Sequence, residues 1–441
     1  MNSAAPLRIA IIGAGWAGMA AAVRAVALGH DVTVFEAARQ LGGRARGVPL
    51  ALPDGRRVMV DNGQHILIGA YRDCLQLMRT VGVDPDAALL RLPLCLRYPD
   101  GRGLALPDWP APLDAVAGIL AARGWHWRDK AALLRAALAW RRAGFRCDER
   151  ASVADLCRAL PPRLHHDFIE PLCVSALNTP MAQASAQVFL RVLQDALFSQ
   201  RGGSHLLLPR LDLGALLPDA AARWLAARGA RVLAGRRVLA LHWQAPHWRV
   251  DGQPFDRVLI ATSAPHAARL LAHSAPTATP SIANQMNEWS AAAARLSHQA
   301  ITTVYAQATG AAAPLRLRAP MLALRSGADG PAQFVFDRDA ITPTQPPTRL
   351  LAFVVSTSVG DQAALQGAVA AQSAGQLGLP VTPLLTVTEK RATFACTPAL
   401  QRPPGAIAPG LSACGDYVAG PYPATLEGAV RSGLQAAQSL R

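Results

Sequence analysis

The 441-residue sequence predicts an α/β protein, a Rossmann-type dinucleotide-binding domain into which a mixed α+β domain is inserted. Three observations predict this. A strand, a glycine-rich turn, a helix and a second strand fill the first 36 residues. Further apolar runs of the same kind recur near residues 258–262 and 411–416, far down the chain. Long inserts separate them, and with 51% apolar residues the chain has ample material for more than one core.

Arg8-Ile9-Ala10-Ile11-Ile12 is a short apolar run with β-branched residues, the pattern of a buried parallel strand. It ends in Gly13-Ala14-Gly15-Trp16-Ala17-Gly18, a GxGxxG turn. Trp16 to Leu28 is alanine-rich and proline-free, so it reads as a helix, closed by Gly29-His30-Asp31. Val32-Thr33-Val34-Phe35 is the second strand, with Glu36 at its end. In such a unit Gly13 allows the tight turn, Gly15 lets the backbone approach a pyrophosphate, and Gly18 lets helix and strand pack closely. The helix N-terminus offers the phosphates free N–H groups and a positive dipole end. Glu36, about twenty residues on, accepts ribose hydroxyls. A lone GxGxxG is often only a turn, but here all four parts are in register. A carboxylate at position 36 repels a 2′-phosphate, so FAD or NAD fits better than NADP.

Arg39-Gln40-Leu41-Gly42-Gly43-Arg44 comes next. It resembles the RxGGR signature of the flavin amine oxidase and phytoene desaturase superfamily; by itself it would pass for an ordinary basic turn. The resemblance implies FAD, with Gly42 and Gly43 admitting backbone to the pyrophosphate and Arg44 supplying a guanidinium. Other segments match in the superfamily's order. Asp61-Asn62-Gly63-Gln64-His65 would lie beside the isoalloxazine ring. Arg237–Leu241 would be the strand whose Val238 backbone contacts adenine. Val258–Thr262, with Pro265, resembles the hhhATxP motif. Gly415-Asp416 would bind the ribityl or pyrophosphate region, and the helix N-terminus at Thr425-Leu426 would aim N–H groups at the flavin. The implied cofactor contacts are Gly13, Ala14, Gly15, Trp16, Ala17, Gly18, Glu36, Ala37, Gly42, Gly43, Arg44, Gly63, Gln64, His65, Val238, Gly415, Asp416, Thr425 and Leu426. The cofactor domain is then discontinuous, at 1–75, 205–272 and 385–441, and the substrate domain comprises 76–204 and 273–384. The Pro-, Ala- and Thr-rich stretch from Ala275 to Ser281 reads as a crossing between them.

A narrower resemblance rests on Asp61–Leu67, Glu170–Cys173 with Ala176–Pro180, Ala184–Phe189, Leu207–Leu213 and Glu389–Thr393. Together these look like the hydroxysqualene dehydroxylase family of bacterial squalene and hopanoid biosynthesis. That family implies reductive dehydroxylation of hydroxysqualene, a hydrophobic triterpenoid, with hydride from reduced FAD. Such chemistry needs a proton donor, because hydroxide is a poor leaving group, and an apolar chamber that excludes water. His65 is the candidate donor, since its unperturbed pKa suits acid catalysis near neutrality; the alternative is that it only positions the ring. Asn178 and Thr179 are candidate contacts for the hydroxyl, or else a turn and a helix start.

Two other readings stand beside this one. One is a carotenoid- or squalene-type desaturase or an amine-oxidase-like enzyme; the other is a flavin-free prenyl-binding chaperone. No lysine occurs between Lys130 and Lys390, which weakens amine oxidation, because many amine oxidases carry a mid-chain lysine near the flavin. The intact Gly42-Gly43-Arg44 and Gly415-Asp416 weaken the chaperone. No second GxGxxG assigns an NAD(P)H site, so the electron donor is external.

The net charge is +15, and Lys130 and Lys390 are the only lysines among 44 basic residues. Seven basic residues and one acid, Asp129, fall between Arg123 and Arg146, with Trp125, Trp127 and Trp140. At helical pitch Trp127, Ala131, Leu134 and Leu138 share a face flanked by Arg128, Arg135 and Arg142. This reads either as an interfacial helix against an anionic membrane surface or as a core helix with a solvated basic rim. Nucleic acid fits poorly: there is no zinc-finger spacing, RNP pattern or lysine-rich arm. The seven cysteines are scattered with no metal-ligand spacing, which suits a reducing cytosol and no metal. The expected location is cytoplasmic, with peripheral contact at the inner face of the membrane.

Overall fold

A computed structural model describes residues 5–310, 317–327 and 330–440. The predicted βαβ unit forms with strands Arg8–Ile12 and Asp31–Glu36 around the helix Trp16–Ala27. It seeds a six-stranded sheet in the order 231–234, 31–36, 8–12, 257–260, 411–413, 406–408. All neighbours are parallel except the last pair. The central strands 8–12 and 257–260 are apolar after their first residue because both faces are covered. Helices Trp16–Ala27, Pro218–Ala226 and Leu426–Gln438 cover one face. A three-stranded antiparallel sheet, 241–255, and helices Ala264–Ser274 and Pro280–Ala294 cover the other.

The inserts build a five-stranded antiparallel sheet in the order 321–323, 334–337, 350–356, 298–308, 381–394. One face packs on helices from residues 113–197, and the other on the helix Gln362–Leu377. The last strand runs to Phe394, past residue 385 where the sequence placed a domain boundary. Ala275 and Ile282 sit in the same apolar cluster as Leu271 and Met286. The stretch Ala275–Ser281 is therefore a bend within one layer rather than the expected crossing, and the chain passes to the second sheet only after Ala294. A proline-rich composition marks a helix break, and the break lies inside the layer because both flanking helices bury apolar stripes in one core.

Two further expectations are corrected. Arg237–Ala240 is irregular, and the strand begins at Leu241. The helix Trp127–Arg142 forms, and Leu133 meets the core with Ala132, Leu134, Ala136 and Trp140, but Trp127 is 73% and Leu138 46% exposed. The face read as apolar thus points partly to solvent. No helix among the described residues is long and apolar enough to cross a membrane.

Missing side chains hold the nucleotide half together. A Cβ on Gly18 would stand 1.9 Å from the Gly13 carbonyl oxygen, and one on Gly433 would stand 2.1 Å from that of Ala17. Helix Leu426–Gln438 therefore lies in backbone contact with helix Trp16–Ala27. We expect Gly433→Val to destabilise the protein by about 1–3 kcal/mol or more through overpacking, read as a lower urea midpoint with an unchanged m-value.

Candidate active site

A cavity of about 1170 Å³ follows the carboxyl ends of the parallel strands and continues into the second sheet. Ligands of open α/β sheets bind at that edge. The volume exceeds the roughly 300–1,000 Å³ usual for one small ligand.

At the first end, Gly13 has φ +113°, and a Cβ there would meet the Ala261 carbonyl oxygen at 2.7 Å. Strand 257–260 therefore closes on the glycine turn only because Gly13 lacks a side chain. Glu36 accepts hydrogen bonds from the Ala14 and Ala38 amides, each 2.8 Å. These fix its carboxylate in the cavity wall with lone pairs to spare. Val238 lies beside it because the Gly235 and Arg236 amides donate to Ala38 and Glu36 carbonyls, each 2.8 Å. Gly15 differs from its neighbours: a Cβ there would find only the Gly42 carbonyl, at 3.9 Å. Its bareness serves no internal packing and leaves room for a ligand over the helix N-terminus.

Next along the cavity lies the loop after Gly42. Arg44 pairs with Asp416 at 2.5 Å and donates to the Ala392 carbonyl at 2.8 Å. Burial would lower the Arg44 pKa, but the charges of Asp416 and Glu389 outweigh it and hold it above its ordinary value. Two residues read separately as pyrophosphate contacts are thus partners across 372 residues of chain. Asn62, not among the expected cofactor contacts, joins the loop to its neighbour: its oxygen accepts from the Arg46 amide at 3.0 Å and its amide donates to the Arg44 carbonyl at 2.9 Å. Gly63, Gln64 and His65 follow in the wall. Gln64 is buried, receives Arg338 at 3.3 Å, and among the described residues has no partner for its Nε2.

His65 is held by Asp61. The carboxylate accepts from the His65 amide at 2.5 Å and sits 2.9 and 3.0 Å from Nδ1. The Tyr305 hydroxyl donates to the Asp61 carbonyl at 2.5 Å, so the second sheet fixes this loop. Burial pushes the His65 pKa down, yet the Asp61 charge and hydrogen bond outweigh it and leave it above 6.5. This pairing stabilises the fold fully below about pH 6.5 and fades as pH rises through the folded value. With Nδ1 committed to Asp61, Nε2 is the nitrogen left for the cavity.

The far end is apolar. Ile66, Val174, Ala176, Ile301, Phe334, Phe336 and Val354 line it, with Ser175 and Ser356. Asn178 sits in this wall in the left-handed conformation that ends helix Glu170–Leu177. Its amide donates to Thr393 Oγ1 and its oxygen accepts from the Thr357 amide, each 2.9 Å. Asn178 therefore clamps the helix end to two strands. Thr179, read as a possible contact with the substrate hydroxyl, is fully buried outside the cavity, donating to Leu177 and receiving the Cys396 amide. Glu389, Arg391, Ala392 and Thr393, all of the strand Val381–Phe394, line the cavity. Arg39, Arg44, Arg46, Arg236, Arg237 and Arg269 also line it, against Glu36 and Asp416. Burial followed by Arg269, Arg391 and Arg237 keeps His266 below its ordinary pKa, as burial, Arg44 and Arg391 keep His298. The nucleotide end therefore carries a positive field suited to a pyrophosphate.

The family model of the flavin containing amine oxidoreductases matches residues 16–441. The chain belongs to that family. It is thus a flavoprotein oxidoreductase, and the bare Gly15, the arginine-lined trough and the open Gln64 amide all fit a bound flavin nucleotide. A hydroxysqualene dehydroxylase of Rhodopseudomonas palustris is 28% identical, over 97% of this chain and 96% of its own. Another, from Sinorhizobium fredii, is 25% identical over 98% of each. Among solved structures, an oxidoreductase from Methanosarcina mazei superposes with a TM-score of 0.70 at 16% identity, covering 98% of this chain and 100% of its own.

Because Gly15 is bare without packing need, Gly15→Val should cost about 1 kcal/mol or less of stability yet weaken flavin retention at least tenfold. Gly18→Val should lose the fold as well. Flavin absorbance and thermal melting of the two variants, side by side, check this.

Proposed function

We propose that the protein binds FAD and catalyses the reductive dehydroxylation of hydroxysqualene to squalene. The observation that carries this reading is the continuity of the cavity. A cationic nucleotide trough opens directly into a chamber walled by Phe334, Phe336, Ile301 and Val354. The end-to-end similarity to two hydroxysqualene dehydroxylases supports the same reading.

Bound FAD supplies hydride when reduced. The chain's own residues do the rest. Gly13 to Gly18, Glu36, Ala37, Gly42, Gly43, Arg44 and Asp416 hold the dinucleotide. Val238, and Thr425 and Leu426 at the N-terminus of the last helix, line the same cavity and would help to hold it. The apolar chamber holds the triterpenoid and keeps water from the carbon that loses hydroxide. His65, its Nδ1 held by Asp61, gives its Nε2 proton to the departing hydroxyl. The C–O bond breaks, a C–H bond forms, and water leaves; the two electrons come from an external donor. Asn178 acts as a positioning residue that fixes the chamber wall.

Chemically reduced protein, incubated anaerobically with hydroxysqualene, should yield squalene with reoxidation of the flavin. Dehydrogenation of squalene by the oxidised protein, with no squalene formed by the reduced one, would favour the desaturase instead. His65→Gln should retain flavin while losing about 10²–10⁴-fold in kcat, the usual worth of a positioned acid; full turnover would remove His65 from that role. Activity should fall as pH rises through the His65 pKa. Asp61→Asn removes the charge that raises this pKa, so the alkaline limb of kcat/KM should move to lower pH.

A further inference from the structure

The helix Leu113–Ala121 shows no polar side chain to solvent. Its buried side holds Asp114, Ala115, Gly118 and Ile119. Its outer side presents Leu113, Val116 and Leu120, which are 60%, 39% and 57% exposed. An ordinary surface helix puts charges there. Trp109, just upstream, is also exposed. Lys130 reaches back to donate to the Leu120 carbonyl at 2.7 Å, which sets the first turn of helix Trp127–Arg142 against the last turn of this one. Exposed Trp127 thereby extends the apolar strip.

The charge around the strip has one sign. Asp114 and Asp129 are the two carboxylates between residues 109 and 146, and both are buried. Asp129 is spent on the His126 amide. Arg123, Arg128, Arg135, Arg141, Arg142 and Arg146 are all exposed. Among the described residues none of the six forms an ion pair; Arg128 lies over the Trp127 ring. Apolar side chains and tryptophans ringed by unpaired arginines are the composition of a surface that enters lipid headgroups.

The strip also bears on the cavity. Trp125, between the two helices, packs edge-on against Phe168 with ring centroids 5.6 Å apart. Phe168 belongs to the π-helical turn His165–Ile169, which continues into the helix Glu170–Leu177. That helix gives Val174, Ser175 and Ala176 to the chamber wall.

We propose that helices 113–121 and 127–142 form a docking surface for an anionic phospholipid bilayer. The apolar strip enters the headgroup region and the arginines pair with lipid phosphates. This rests on the surface alone and survives failure of the proposed reaction.

The test is co-sedimentation of the flavin-loaded full-length protein with vesicles. One set contains phosphatidylcholine alone, the other phosphatidylcholine with phosphatidylglycerol. The protein should pellet with the anionic vesicles at least tenfold more strongly than with the neutral ones. Leu113→Glu/Leu120→Glu/Trp127→Glu should weaken that binding at least tenfold, and Arg128→Glu/Arg135→Glu/Arg142→Glu should abolish the preference for phosphatidylglycerol. All six side chains are exposed, so flavin content and melting temperature should hold in both variants and separate lost docking from lost folding. Equal recovery in the supernatant with and without vesicles would overturn the proposal, as would binding undiminished in both variants. A dimer in solution that the first triple variant disperses, without vesicle binding by the parent, would assign the strip to a second copy and overturn it too.

Discussion

The nucleotide half depends on backbone meeting backbone where side chains are missing. Strand 257–260 can end against the glycine turn because Gly13 carries no Cβ, and the first helix can lie on that turn because Gly18 carries none. The same device at Gly433 seats the last helix of the chain on the first. Segments separated by hundreds of residues are thereby fixed around one helix N-terminus. Its unpaired N–H groups then face the cavity rather than a side chain. Gly15 and the Gly42 carbonyl define the floor that remains, wide enough for a ligand.

Electrostatics then divides the cavity. Arginines from the Arg39–Arg46 loop, from 236–237, from 269 and from 391 converge on its nucleotide end. The Arg44–Asp416 pair is charge-assisted and short, and it locks the loop after the second strand to the loop after the last one. Beyond His65 the arginines stop and phenylalanine, valine and isoleucine take over. Asp61 stands at this border. It is held through its carbonyl by Tyr305 of the second sheet, and its charge holds the His65 pKa above the ordinary value against the effect of burial. The His65 imidazole and the apolar end of the cavity are thus adjacent because two sheets meet at one aspartate.

Much of the fold was legible in the sequence. The βαβ unit has a local signature, and its hydrophobic period, glycines and terminal Glu36 agree with one another. The element ends at 12, 27, 36 and 413 fall where the apolar runs stop. The second sheet was far less legible. Its long strands, 298–308 and 381–394, scatter threonine, glutamine and charged residues among their apolar ones, so alternation is faint there. Arg237–Ala240 looked like a strand because apolar residues follow a glycine. It stays irregular because hydrogen bonds to the Ala38 and Glu36 carbonyls hold its start at the sheet's edge.

The sequence by itself determined that the chain opens with a βαβ unit of dinucleotide-binding pattern, where the glycines and Glu36 stand, and that its charge is borne by arginine. These are local or compositional properties, readable without partners. Only the tertiary structure decided which charges are free. Arg44 and Asp416 proved to be mates, Asn178 a clamp and Thr179 a core residue, because contacts across 200 or more residues leave no mark on local pattern. It likewise decided that the basic insert turns Trp127 outward beside a wholly apolar helix face. Amphipathic spacing gives a helix its stripe, but only packing determines whether the stripe meets a core or is left open.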